Sequence, residues 1–134
     1  MSYDFTLTTV IPALPRAVFD AWLDSDRHTA MTRAGATISS TVGADYSAWD
    51  GYITGKNLEL APPSRIVQSW RTAEFAETDP DSIITVTFSP SGNETLLKLE
   101  HRNVPDGQTS YEHGGWQENY FTPMTDYFAS IPVD

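Results

Sequence analysis

A chain of 134 residues, 40% of them apolar, has room for one hydrophobic core and not for two, and predicts a single domain over 1–134. Eight basic against 18 acidic residues give a formal charge of -10, which repels phosphate backbones and anionic lipid, so neither nucleic acid nor membrane is an expected partner. The lack of cysteine excludes disulfides, thiolate metal sites and cysteine nucleophiles together.

The opening "MSYDFTLTTVIPALP" has no basic region followed by a long apolar run, and a cytoplasmic location is the default expectation. Within it Tyr3, Phe5, Leu7 and Ile11 share one parity and Thr6 and Thr8 the other, which predicts a half-buried strand. Pro15 suits a first helical position, and Val18, Phe19, Ala21, Trp22 and Leu23 form an apolar stripe at helical spacing. Ser25 is positioned to cap a second short helix around "DRHTAM". After "TRAGATISSTVG", which carries no clear periodicity, Asp50 and Gly51 predict a tight two-residue turn. That turn pairs Trp49 with Tyr52, placing Tyr46, Ala48 and Ile53 on one face of the hairpin and Ser47, Trp49, Tyr52 and Thr54 on the other.

Gly55 reads as a bulge or a close backbone approach, and "APPS" ends the next strand because proline cannot donate to a ladder. A strand follows from Arg65 to Arg71, with Ile66, Gln68 and Trp70 on one parity. Two more, "SIITVTFSP" and "NETLLKLEHR", put Ile84, Val86 and Phe88 on one parity of the first and Leu97, Leu99 and His101 on one parity of the second, joined by a hairpin at "SPSGNE". Thr109 and Glu112 have capping-box spacing ahead of a long helix whose apolar face is Trp116, Tyr120, Met124, Tyr127 and Phe128. Gly114, Gly115 and Pro123 interrupt it, and Pro123 predicts a kink. The order is α+β: a strand, two short helices, a meander completing about six antiparallel strands, and a long C-terminal helix that a twisted sheet can grip.

In that order the chain resembles the SRPBCC, or START-like, helix-grip superfamily, in its branch related to the C-terminal domain of the activator of the heat-shock protein 90 ATPase. The resemblance is carried by "VFDAWLDSDRHTAMT", "SAWDGYITGKNLELAPPSRIVQSWR", "LKLEH" and "GWQENYFTPMTDYF", and spans roughly Val10 to Phe128. It departs near "TRAGATISS", where similar chains have a shorter glycine turn. The superfamily includes lipid carriers, plant hormone receptors and polyketide cyclases, most of which use the space under the helix. The resemblance also implies a stress-linked link to a heat-shock protein 90 homologue. The eukaryotic activator's co-chaperone activity depends heavily on a separate N-terminal domain that this chain lacks, so weak chaperone contact or none is the expectation.

Trp22, Trp70 and Trp116 are core or cavity wall, and Trp49 and Tyr52, beside a turn, are a rim or surface cluster suited to a protein contact. His101 points toward the inner face, as a hydrogen-bonded strand-end histidine or a ligand contact; similar chains often carry a histidine there. His28 reads as a surface residue and His113 lies near the helix start. No histidine pair has i, i+4 spacing, so no metal is expected, and no cofactor fingerprint occurs. Glu100 falls on the outward parity and Glu112 is explained by capping. The leading expectation is a binding module holding a small hydrophobic or aromatic ligand between helix and sheet, with Trp22, Trp70, Phe88, His101, Trp116 and Tyr120 as contacts. Second is a protein that contacts a heat-shock protein 90 homologue through Trp49 and Tyr52 and modulates its ATPase. Third is a cyclase-type enzyme acting through His101.

Overall fold

A computed structural model describes residues 2–108 and 110–130, apart from the side chain of Glu112. Six antiparallel strands form one sheet in the order β1-β6-β5-β4-β3-β2. They are β1 (Ser2–Ile11), β2 (Asp45–Ala48), β3 (Ile53–Ala61), β4 (Arg65–Thr72), β5 (Ser82–Ser91) and β6 (Glu94–Pro105). The short helices α1 (Pro15–Trp22) and α2 (Ser25–Thr32) lie between β1 and β2, and α3 (Thr122–Ser130) ends the described chain. Alternation sets the inner face: Ile66, Gln68 and Trp70 of β4, Ile84, Val86 and Phe88 of β5, and Leu97, Leu99 and His101 of β6 are all buried. These are the parities expected from the sequence, and this is the helix-grip architecture.

Several expectations shift by a residue or a turn. Pro15 opens α1 as expected, but α2 is capped by Asp24, whose carboxylate accepts from the Arg27 amide at 3.1 Å. Ser25 instead exchanges hydrogen bonds with the Ile38 backbone, at 3.0 and 2.9 Å, and ties α2 to the following loop. The hairpin closes at Ala48 and Ile53, so Trp49 and Tyr52 are not a cross-strand pair but the ends of a four-residue loop. Trp49 and Asp50 both adopt positive φ, 53° and 56°, and the amides of Gly51 and Tyr52 bond back to the carbonyls of Ala48 and Trp49. Asp50 anchors this left-handed loop: its amide donates to the Gly35 carbonyl (2.9 Å) and its Oδ1 accepts from the Gly35 amide (2.7 Å).

At Gly55 a side chain is excluded outright, because a Cβ there would sit 1.9 Å from the Ser69 carbonyl oxygen. The expected close approach is therefore real, while the irregularity of the β3–β4 register falls later, between Asn57 and Glu59. The unassigned segment after α2 is held by buried polar groups. Asn57 Nδ2 donates to the carbonyls of Ser39 (2.8 Å) and Thr41 (3.0 Å), and Asn57 Oδ1 accepts from Gln68, whose own Oε1 accepts from Trp22 Nε1 at 3.1 Å.

The C-terminal helix is not one regular α-helix. The Thr109–Glu112 capping box lies outside the described residues, and the chain enters α3 through two wide turns, Tyr111–Gly115 and Gln117–Phe121. Their amides bond five residues back: Gly115 to Ser110, Trp116 to Tyr111 and Thr122 to Gln117. The expected proline kink takes this form. Pro123 lacks an N–H and its ring crowds the carbonyl four residues earlier, and a widened turn just before it relieves both problems. Gly114, at φ 116°, breaks the first turn outright.

Candidate functional site

A column of aromatic rings fills most of the space between helix and sheet. Trp22 stacks on Tyr120 with centroids 5.2 Å apart, Tyr120 lies 5.0 Å from Trp116, and Trp116 lies 5.4 Å from Trp70. Trp70 in turn meets Tyr111 at 5.0 Å and His101 at 4.7 Å. The rings come from α1, β4, β6 and the wide-turn segment before α3, which is why strand parity and helical spacing converge on one stack. The column closes the Trp22 end of the grip: Trp22 and Phe88 are 1% and 2% exposed, and Phe88 packs edge-on against Phe19 at 5.7 Å.

At the other end the grip opens into a groove of about 460 Å³. Its walls are the loop residues Trp49 and Tyr52 with Ile53, Trp70 of β4, and Tyr111, Gly114, Trp116, Glu118, Asn119 and Tyr120 of the wide turns. Trp49 and Tyr52, expected as a rim or surface cluster suited to a protein contact, share one concavity with Trp70, Trp116 and Tyr120. Trp22, Phe88 and His101 do not line it. Tyr111, a wall residue that periodicity did not single out, lies between the expected cap Thr109 and the apolar face that begins at Trp116, and is buried, its hydroxyl donating to Gln108 Oε1 (2.6 Å) and lying 2.9 Å from Thr72 Oγ1.

His101 is fully buried, and its hydrogen bonds determine its state. Ser82 Oγ spends its one proton on the Trp70 carbonyl at 2.5 Å, so His101 Nε2 must donate to Ser82 Oγ at 2.8 Å. The Nδ1 lone pair then accepts from Trp116 Nε1–H at 3.1 Å. Desolvation lowers its pKa to about 3, and the ring is neutral with both nitrogens engaged. It joins β6, β5 and the wide turn before α3, and has no free nitrogen with which to move a substrate proton.

His28 corrects an expectation: it is buried, not a surface residue. Its Nδ1–H donates to the Trp22 carbonyl at 2.8 Å, and its Nε2 accepts from the Tyr120 hydroxyl at 3.0 Å. Burial pushes its pKa down and that of Tyr120 up, so both are neutral and the tyrosine at the base of the groove is fixed to α2. The spacing of His28 with Met31 and Thr32, which are buried beside it, was the signal available in the sequence. Among the described residues no group of three His, Asp or Glu side chains is arranged to hold a metal ion, and no helix is long and apolar enough to cross a membrane.

The family model for activator of Hsp90 ATPase homolog 1-like protein matches residues 12–129. The human activator of 90 kDa heat shock protein ATPase homolog 1 is 28% identical over 124 residues, 92% of this chain and 36% of the human protein. The chain spans about a third of the length of the curated relatives it matches. A crystal structure of an HSP90 activator from Plasmodium falciparum superposes with a TM-score of 0.86 at 29% identity, covering 95% of this chain and 96% of that one. CalU16 from Micromonospora echinospora shares the fold, with a TM-score of 0.77 at 22% identity over 95% of this chain and 76% of that one. The family match over nearly the whole chain, together with the helix-grip sheet and its C-terminal helix, assigns this chain to the activator of Hsp90 ATPase homolog 1-like family.

Proposed function

We propose that the chain is a binding module that holds a small hydrophobic or aromatic ligand in the groove between the 49–52 loop, β4 and the wide turns before α3. The observation that carries this is the groove itself: about 460 Å³, within the range of small-molecule sites, and walled by Trp49, Tyr52, Trp70, Tyr111, Trp116 and Tyr120. An apolar ligand displaces water from these walls, at about 25 cal/mol per Å² of apolar surface covered. The site lies at the open end of the aromatic column, because the column fills the centre of the grip. The test is a tryptophan-fluorescence titration with fatty acids, sterols, flavonoids, polyketide-like aromatics and aromatic ammonium ions. A saturable change that Tyr52→Ala weakens supports the module; a flat response to every compound removes it.

A second reading is favoured by family membership and by the names of the relatives: contact with a chaperone of the heat-shock protein 90 type through Trp49 and Tyr52 at the groove mouth. It predicts that this protein alters the ATPase rate of such a chaperone and that Tyr52→Ala, with the fold intact, reduces the effect. An unchanged ATPase rate at saturating protein removes this reading. An enzyme acting through His101 has no support in the geometry, since both ring nitrogens are occupied.

A further inference from the structure

The charge around the groove is one-sided. Glu118 is its one lining carboxylate, it has no ion-pair partner among the described residues, and no lysine or arginine lines the walls. Its Oε1 lies 3.5 Å from where a Cβ on Gly114 would be, so the carboxylate rests on the glycine turn that forms part of the wall. Glu74, next to the mouth, accepts a hydrogen bond from the Tyr52 hydroxyl. The nearby cation Arg71 is already used, paired with Asp81 at 2.6 Å and lying 5.5 Å over Phe75.

Three terms therefore favour positive charge in the same space. Aromatic ring faces carry negative potential and attract cations most strongly where water is thinned. Glu118, exposed and with no ion-pair partner among the described residues, supplies a counter-charge. The formal charge of -10 sets the long-range field, which concave, low-dielectric walls focus. A carboxylate ligand would meet all three with the wrong sign.

We propose that the groove is selective for organic cations: an ammonium or amidinium head carried on an apolar or aromatic body, with the head against Glu118 and the body against the tryptophan and tyrosine walls. This rests on the reading of the groove as a ligand site and adds the chemical class of its occupant.

Three probes sharing one ring test it: benzyltrimethylammonium, benzyl alcohol and phenylacetate, each titrated into labelled protein and followed by NMR shifts at Trp49, Tyr52, Gly114 and Trp116. The expected result is that the ammonium binds about tenfold more tightly than the alcohol and that phenylacetate binds weakest. Added salt and Glu118→Gln each weaken the ammonium several-fold and change the affinity of the alcohol far less. Benzyl alcohol binding as tightly as the ammonium, tighter binding of phenylacetate, or an ammonium affinity indifferent to Glu118→Gln overturns the charge selectivity while leaving an apolar ligand site in place. Absence of shifts with all three overturns the ligand site along with it.

Discussion

His101 shows how a residue type that suggests chemistry is turned to structure by its neighbours. With its Nε2–H on Ser82 and its Nδ1 accepting from Trp116, replacing it by phenylalanine leaves the buried Trp116 N–H without an acceptor and Ser82 Oγ with only its bond to the Trp70 carbonyl. His101→Phe should lower stability by about 2–4 kcal/mol in urea unfolding. The pH dependence has a definite sign. Burial holds the folded pKa at about 3, below the ordinary value of 6.5, so between those values the unfolded chain binds a proton that the folded chain does not. The stability from this group is fully present above about pH 6.5 and falls as the pH drops toward 3, by up to about 1.4 kcal/mol per pH unit. His28 acts in the same direction. Urea midpoints measured from pH 7 to pH 4 check this: the decline should be shallower in His101→Phe, and an equal slope would show that position 101 is not the titrating group. The inner-facing parity of His101 was legible in its alternation with Leu97 and Leu99. Its bonding was not, because Ser82 and Trp116 come from other elements and only tertiary packing brings them together.

At the scale of the element, the 49–52 loop sets the groove's outer wall. Strand alternation before and after it was readable, and so was the burial of Tyr46, Ala48 and Ile53. The loop's length was not, because an Asp-Gly pair fits a two-residue turn equally well until Asp50 is seen to anchor on Gly35, fifteen positions earlier. Asp50→Ala removes the carboxylate half of that anchor, leaving the amide bond to the Gly35 carbonyl, and places a less tolerant residue at φ 56°, so it should cost about 1–2 kcal/mol and loosen the groove wall. Asp50→Asn, which keeps an acceptor and tolerates the left-handed region, should cost less. Amide hydrogen exchange across 48–53 and thermal unfolding of both variants check this; equal behaviour would mean that the anchor is not what holds the loop. Gly55→Ala, forced against the Ser69 carbonyl, should be more damaging than either, at about 3 kcal/mol or more, measured as a loss of folded protein in urea. The wide turns before α3 follow the same pattern: Gly114, Gly115 and Pro123 marked a disturbance in the sequence, but its resolution into bonds spanning five residues depends on how Trp116 and Tyr120 must face the sheet.

At the scale of the whole molecule, periodicity gave the helix-grip architecture because the inner-facing positions alternate cleanly and most are apolar, with Gln68, Thr72, Ser82 and His101 as buried polar exceptions. Trp49, Tyr52, Trp70, Trp116 and Tyr120 of the groove were legible one at a time, yet not as a set, and Tyr111 was not legible. Sequence parity separated Trp49 and Tyr52 from the cavity contacts, whereas the sheet's curvature brings them to its mouth. The reverse holds for Trp22, Phe88 and His101, whose inward parity places them deep in the packed interior. The measurement that tests the ligand-binding groove most directly is an NMR titration of labelled protein with the best compound from the hydrophobic panel, read residue by residue. Saturable shifts should cluster at Trp49, Tyr52, Tyr111, Gly114 and Trp116 while Trp22 and Phe88 stay still. Shifts centred on Trp22 and Phe88, or none with any compound at saturation, would contradict it.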